Sequence, residues 1–182
     1  MNRHCYLDTC FLVDWALSIP GGTAADVKNA ADWLERLVGP DRNSHQLAVS
    51  ELTFLEFRDV CGRYEVRSEP EHAKYDAEWM KGAEQRLWSW IASGELLVLD
   101  PVLRLPELVT QVIGHVTEVE RRQMRAFDAA HLIAASQWSL EISQRVSLIT
   151  SDHKFASVVD GLAGFTPHVE MTDLRVVPFT NA

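Results

Sequence analysis

Residues 5–10 read Cys-Tyr-Leu-Asp-Thr-Cys, a short apolar run from Cys5 to Leu7 that stops on a carboxylate, Asp8. Residues 146–152, Val-Ser-Leu-Ile-Thr-Ser-Asp, have the same form, with Asp152 just beyond an apolar run from Val146 to Ile149. Runs of this length, apolar on successive residues, suit strands covered on both faces. Leu47–Val49, Leu96–Leu99 and Val176–Val177 read the same way.

Helical patterns separate these runs. From Ala24 to Val38 the residues Val27, Ala30, Ala31, Leu34, Leu37 and Val38 recur at helical spacing, and Gly39-Pro40 supplies a stop. Ser50 is placed to cap a helix starting at Glu51. Ser68 with Glu71 resembles a capping box opening a long helix toward Trp90, ended by Gly94. That segment carries Ala73, Ala77, Met80, Leu87 and Ile91 on one face, with Tyr75 and Trp79 on a neighbouring face. Two further helices are predicted, at about 105–116 and from Arg122 to Trp138 through Phe127, His131, Ala134 and Ala135. Strands alternating with helices indicate an α/β domain whose central sheet is largely parallel.

The chain of 182 residues suits one domain, 1–182, and 47% apolar content is ample for a core. Lys and Arg number 17 against 26 Asp and Glu, a formal charge of −9 that opposes non-specific attraction to polyanions. A coat protein for nucleic acid is disfavoured. A nuclease is not, because bound divalent cations offset a cluster of acidic ligands. Cys5, Cys10 and Cys61 form neither a CxxC pair nor an even set, which fits a reducing cytoplasm. The opening MNRHCYLDTC places an acid within its apolar segment, unlike a signal-peptide core, and no apolar run approaches the roughly 20 residues that span a bilayer. A cytoplasmic protein with no membrane association is expected.

In an open parallel sheet the functional crevice lies beyond the carboxyl ends of the strands. Asp8 and Asp152 are expected on that edge. Glu56 lies one to two turns into the helix after the second strand, and Asp128 on the helix before the fourth, both among apolar neighbours. Unit like charges ~4 Å apart repel by ~4 kcal/mol at an effective dielectric near 20, and a divalent cation reverses that penalty. Singly, the four acids read as caps, a salt-bridge partner or a turn residue; together they describe an acidic site without specifying its chemistry.

The segments YLDTCFLVDW, LAVSELTFLEF, AFDAAHLIAA and LITSDHKF, in this order, resemble the four signatures of the PIN-domain nucleases. The resemblance spans nearly the whole chain. It implies a PIN-like three-layer sandwich, and a Mg²⁺- or Mn²⁺-dependent ribonuclease with Asp8, Glu56, Asp128 and Asp152 in the acidic pocket as catalytic residues and metal ligands. Asp8 and Asp128 would be the firmest ligands. Thr150 resembles the family's hydroxyl residue near the fourth acid, with Ser151 a second candidate for ordering water. Small bacterial members include toxin ribonucleases of the VapC kind, which implies RNA as substrate, an antitoxin protein as partner and a homodimer. The chain departs from them in the Trp-rich helical segment at about 61–94, read here as packing. A non-catalytic PIN module binding RNA or a protein partner is the alternative.

Arg58 and Arg63 follow Glu56, and Arg121, Arg122 and Arg125 precede Asp128. Arg125, one turn before Asp128, is the expected substrate-binding residue, although ion pairing with Asp59, Glu118 and Glu120 is the ordinary role of such arginines. His131 is expected to pack on its helix, His153 to be exposed, and Asp14 to be a surface or capping residue.

Overall fold

A computed structural model describes residues 4–19, 25–38, 45–66, 75–100, 126–161 and 169–173. The strands are β1 (His4–Leu7), β2 (Gln46–Ser50), β3 (Leu96–Leu99), β4 (Val146–Thr150) and β5 (Val169–Asp173). The helices are α1 (Thr9–Ser18), α2 (Ala25–Val38), α3 (Glu51–Val66), α4 (Ala77–Ala92), α5 (Ala126–Ile142) and α6 (His153–Gly161). The sheet runs in the order β3-β2-β1-β4-β5, and every pairing is parallel.

Alternation along the strands divides the core into two layers. Cys5, Leu7, Leu47, Val49 and Ile149 pack against Phe11, Leu12, Trp33, Phe57, Trp79 and Leu87, which come from α1 to α4. Tyr6, Ala48, Val146 and Leu148 point the other way, against Leu132, Ile133 and Trp138 of α5 and Phe155 of α6. Helices cover both faces, so β1 and β4 are buried on nearly every residue. The result is the expected α/β three-layer sandwich.

The strand order also locates a crevice. From β1 the chain moves through β2 to β3 on one side, then returns to place β4 and β5 on the other. Beyond the carboxyl ends of β1 and β4, where the order reverses, the connections part and leave an opening. Leu7 pairs with Ile149, so the residues that follow these strands emerge side by side.

Three boundaries differ from expectation. The fifth strand is Val169–Asp173, aligned Val146 to Val169 and Thr150 to Asp173; Val176–Val177 lies outside the described residues. As an edge strand reading Val-Glu-Met-Thr-Asp, it has no continuous apolar run to betray it. The long helix starts at Ala77, where Asp76 accepts a hydrogen bond from the Trp79 amide at 2.9 Å; Ser68 and Glu71 lie outside the described residues. Its inner face is Tyr75, Trp79, Ala83 and Leu87, while Ala77 is exposed. Gly94 ends it as expected, at φ +75°, in the left-handed conformation that glycine adopts without a Cβ penalty. The last predicted helix continues past Trp138 to Ile142, and the one at about 105–116 lies outside the described residues.

The packing role expected of the Trp-rich segment holds for Trp79, whose indole N–H donates to the Ala16 carbonyl at 2.9 Å, and for Trp90, stacked obliquely on Trp15 at 4.8 Å. Trp88 is 58% exposed and lies flat on Phe54. No helix among the described residues is long and apolar enough to cross a membrane.

The register of α5 is open to a direct test. Leu132 is fully buried and Leu140 is 59% exposed. Leu132→Ala is expected to cost about 2–5 kcal/mol and Leu140→Ala less than about 0.5 kcal/mol, read as urea midpoints at constant m. Equal losses at the two positions would contradict the two-layer packing.

Candidate functional site

Both strand-end acids begin helices. The Asp8 amide donates to the Ile149 carbonyl at 3.0 Å, which joins β1 to β4 at the crevice. Its carboxylate caps α1, with Oδ1 accepting from the Thr9 amide at 2.8 Å. Asp152 does the same for α6, Oδ1 accepting from the amides of Lys154 at 2.8 Å and Phe155 at 3.2 Å. The helix N-termini favour negative charge, so the capping role and an acidic site coincide at these two positions.

Thr150 links the two acids. Its hydroxyl donates to Asp8 Oδ2 at 2.7 Å and accepts from the Asp152 amide at 3.0 Å. The hydroxyl predicted beside the fourth acid therefore touches the first acid as well.

Glu56 and Asp128 arrive on helices from opposite layers, α3 and α5. Asp128 is buried, one turn before the wholly buried His131. His131 Nε2 lies 3.1 Å from Glu56 Oε2, 3.3 Å from Asp8 Oδ1 and 3.1 Å from Thr9 Oγ1. Its Nδ1 is 2.9 Å from the Tyr6 phenol, which donates to Ser50 Oγ at 3.0 Å. With the Tyr6 hydroxyl donating to Ser50, the phenol oxygen can accept from Nδ1 while the carboxylates share the one Nε2 proton, the pattern of an imidazolium. Burial opposes that charge, but the Tyr6 oxygen, Asp8 and Glu56 together outweigh it and hold His131 at about 10. Burial pushes Asp8 above the ordinary carboxylate range, against His131, the Thr150 hydroxyl and the Thr9 amide, which favour the anion. His131 packs on its helix as expected, and it is also the hub of the acidic pocket. Its place in Asp-Ala-Ala-His, one turn after the third acid, was the available signal.

A cleft of about 650 Å³ opens over this pocket. Glu56 and Asp152 line it with Thr9, Cys10, Ser151, and a rim of Arg63, Tyr64, His153 and Lys154; Asp14, expected at the surface or as a cap, lines it too. Burial, and then the fields of Asp8, Asp152, Glu56 and Asp128, raise the Cys10 thiol. Of the four predicted acids, Glu56 and Asp152 line the cleft, Asp8 is joined to them through His131 and Thr150, and Asp128 lies one turn before His131 on α5. Arg63 pairs with Asp59 at 3.0 Å, the ordinary ion pair foreseen for it, whereas Arg58 pairs with Glu84 instead. Arg121, Arg122 and Arg125 lie outside the described residues. His153 is exposed, as expected.

The donor set suits a hard divalent cation: carboxylate oxygens in excess of one imidazolium. The Ser151 hydroxyl fits too, since it lines the cleft yet is buried with no hydrogen-bond partner among the described residues. As it stands, no group of three or more His, Cys, Asp or Glu side chains among the described residues is arranged to hold a metal ion. Asp8 and Asp152 give oxygens to helix amides, and Asp8 and Glu56 share His131.

His131 makes the metal-free protein pH-sensitive. Its pKa is raised from 6.5 to about 10 in the folded state. The stabilisation is fully present below pH 6.5 and is lost as pH rises through 10. The urea midpoint is expected to fall across that window, and to fall less in His131→Gln. A flat wild-type profile would contradict the buried imidazolium.

No protein-family model matches the chain, and no curated protein sequence matches it significantly.

Proposed function

We propose that this chain is a metal-dependent endoribonuclease of the PIN kind, which hydrolyses phosphodiester bonds of RNA. The observation that carries this reading is the linkage of three acids: Asp8 and Asp152 follow adjacent parallel strands at the reversal of strand order and are joined through Thr150, and His131 ties Asp8 to Glu56, with the buried Asp128 one turn before it on α5. Each acid alone has a structural role. Glu56 and Asp152 at the cleft, with Asp8 beneath them and one imidazolium between, suit a cation.

Bound Mg²⁺ or Mn²⁺ supplies an activated water and offsets charge on the phosphate. Asp8 and Asp128 provide the most buried ligand oxygens, with Glu56 and Asp152 at the cleft surface. Thr150 fixes Asp8 Oδ2, and the Ser151 hydroxyl is available to order water. Arg63 and Lys154 on the cleft rim hold the neighbouring phosphates, with Arg125 a further contact one turn before Asp128. In this reading the protein is cytoplasmic and homodimeric, and the toxin of a toxin–antitoxin pair whose antitoxin blocks the cleft.

One observation favours a second reading. Asp8 and Asp152 already serve as helix caps, and Asp8 and Glu56 share a protein donor, an arrangement that also suits a non-catalytic module binding RNA or a protein. Asp128→Asn separates the two. It is expected to lower Mn²⁺-dependent RNA cleavage by about a hundredfold or more, while leaving metal-free stability equal or higher because a repelling charge is gone. Full cleavage by this variant would remove the proposed ribonuclease; RNA binding by the wild type without cleavage in any divalent metal would favour the binding module.

A further inference from the structure

His131 is wholly buried and, like Asp8 and Thr150, does not line the cleft, whereas Glu56, Thr9 and Asp152 do. The imidazole therefore reaches Asp8 and Glu56 from inside the protein. Both carboxylates converge on one nitrogen, at 3.3 and 3.1 Å. Carboxylates accept and do not donate when ionised, so Nε2 carries the proton in either charge state of the ring.

The far side of the ring is equally fixed. Nδ1 meets the Tyr6 phenol at 2.9 Å, and Tyr6 donates to Ser50 Oγ at 3.0 Å. Ser50 ends β2 and is tied to the first turn of α3 by its amide, which donates to Thr53 Oγ1 at 3.1 Å, and by a hydroxyl contact of 3.2 Å to the same atom. Glu56 is one turn further along α3, Asp8 two residues beyond Tyr6, and Asp128 one turn before His131. One chain of hydrogen bonds thus joins the three elements that carry three of the four acids.

We propose that His131, held by Tyr6 and Ser50, is a positioning residue that gathers Asp8 and Glu56 beneath the cleft so that a divalent cation meets them already assembled. This rests on the metal-dependent reading above. Without the shared donor the two carboxylates repel, and binding must first draw them back together. Groups that orient metal ligands in this way are typically worth about 10- to 100-fold in affinity.

The test is calorimetric titration of the full chain with Mn²⁺ alone, alongside thermal unfolding without metal. Wild type is compared with Asp8→Asn, His131→Leu, His131→Gln and Tyr6→Phe. His131→Leu is expected to weaken Mn²⁺ binding about 10- to 100-fold. His131→Gln should restore most of it, because its amide again offers an N–H to the carboxylates. Tyr6→Phe should weaken binding by a smaller factor, although Tyr6 lines no part of the cleft; it decides the matter if His131→Leu does not fold. Wild-type affinity in folded His131→Leu or in Tyr6→Phe, with only the melting temperature lowered, overturns the positioning role and leaves the metal site standing. Failure of the Gln variant to exceed the Leu variant also overturns it. If wild type binds no Mn²⁺, or Asp8→Asn binds as well as wild type, the metal-dependent reading falls and the positioning role with it.

Discussion

The structure depends on a carboxylate buried at the centre of its sheet. Asp8 is 2% exposed, and a charge so placed is costly unless it is paired and hydrogen-bonded. The fold surrounds it with donors from three places: the α1 amide of Thr9, the hydroxyl of Thr150 at the end of β4, and the imidazole of α5. Each donor belongs to a different element. Solvating Asp8 therefore fixes β1, β4, α1 and α5 relative to one another, and the cleft is the space left above.

The same demand explains the polar residues inside otherwise apolar layers. Tyr6 faces α5 because strand alternation turns it away from Cys5 and Leu7, and its hydroxyl needs a partner there. His131 supplies one, Ser50 another. A core built only of Leu and Val on that face would leave Asp8 and Glu56 without a common donor.

The central fold was legible because strands covered on both faces are dominated by apolar residues, as Cys5–Leu7, Leu47–Val49 and, but for Ser147, Val146–Ile149 are. The edge strand at Val169–Asp173 was not, since Glu170 and Thr172 interrupt its apolar residues. Likewise, Asp76 displaced Ser68 as the start of the long helix because many polar residues qualify as caps and only tertiary packing selects among them. Of the site, the strand-end acids could be read from position alone. The place of His131 one turn after Asp128 could be read too, but not its role, because a single sequence does not distinguish a histidine that packs from one that bridges two carboxylates; that depends on Tyr6 and Ser50, 125 and 81 positions away in the chain.

Cys10 shows what such a pocket does to a bystander. Oxidants and alkylating agents attack the thiolate, and burial with four surrounding carboxylates keeps this sulfur protonated. A half-buried cysteine in the wall of the cleft is thereby shielded from damage by charge as well as by access. The shield lasts only while the acids are uncompensated. A bound divalent cation would lower it, so that the rate of iodoacetamide labelling at Cys10 becomes a chemical gauge of how much negative charge the cleft retains.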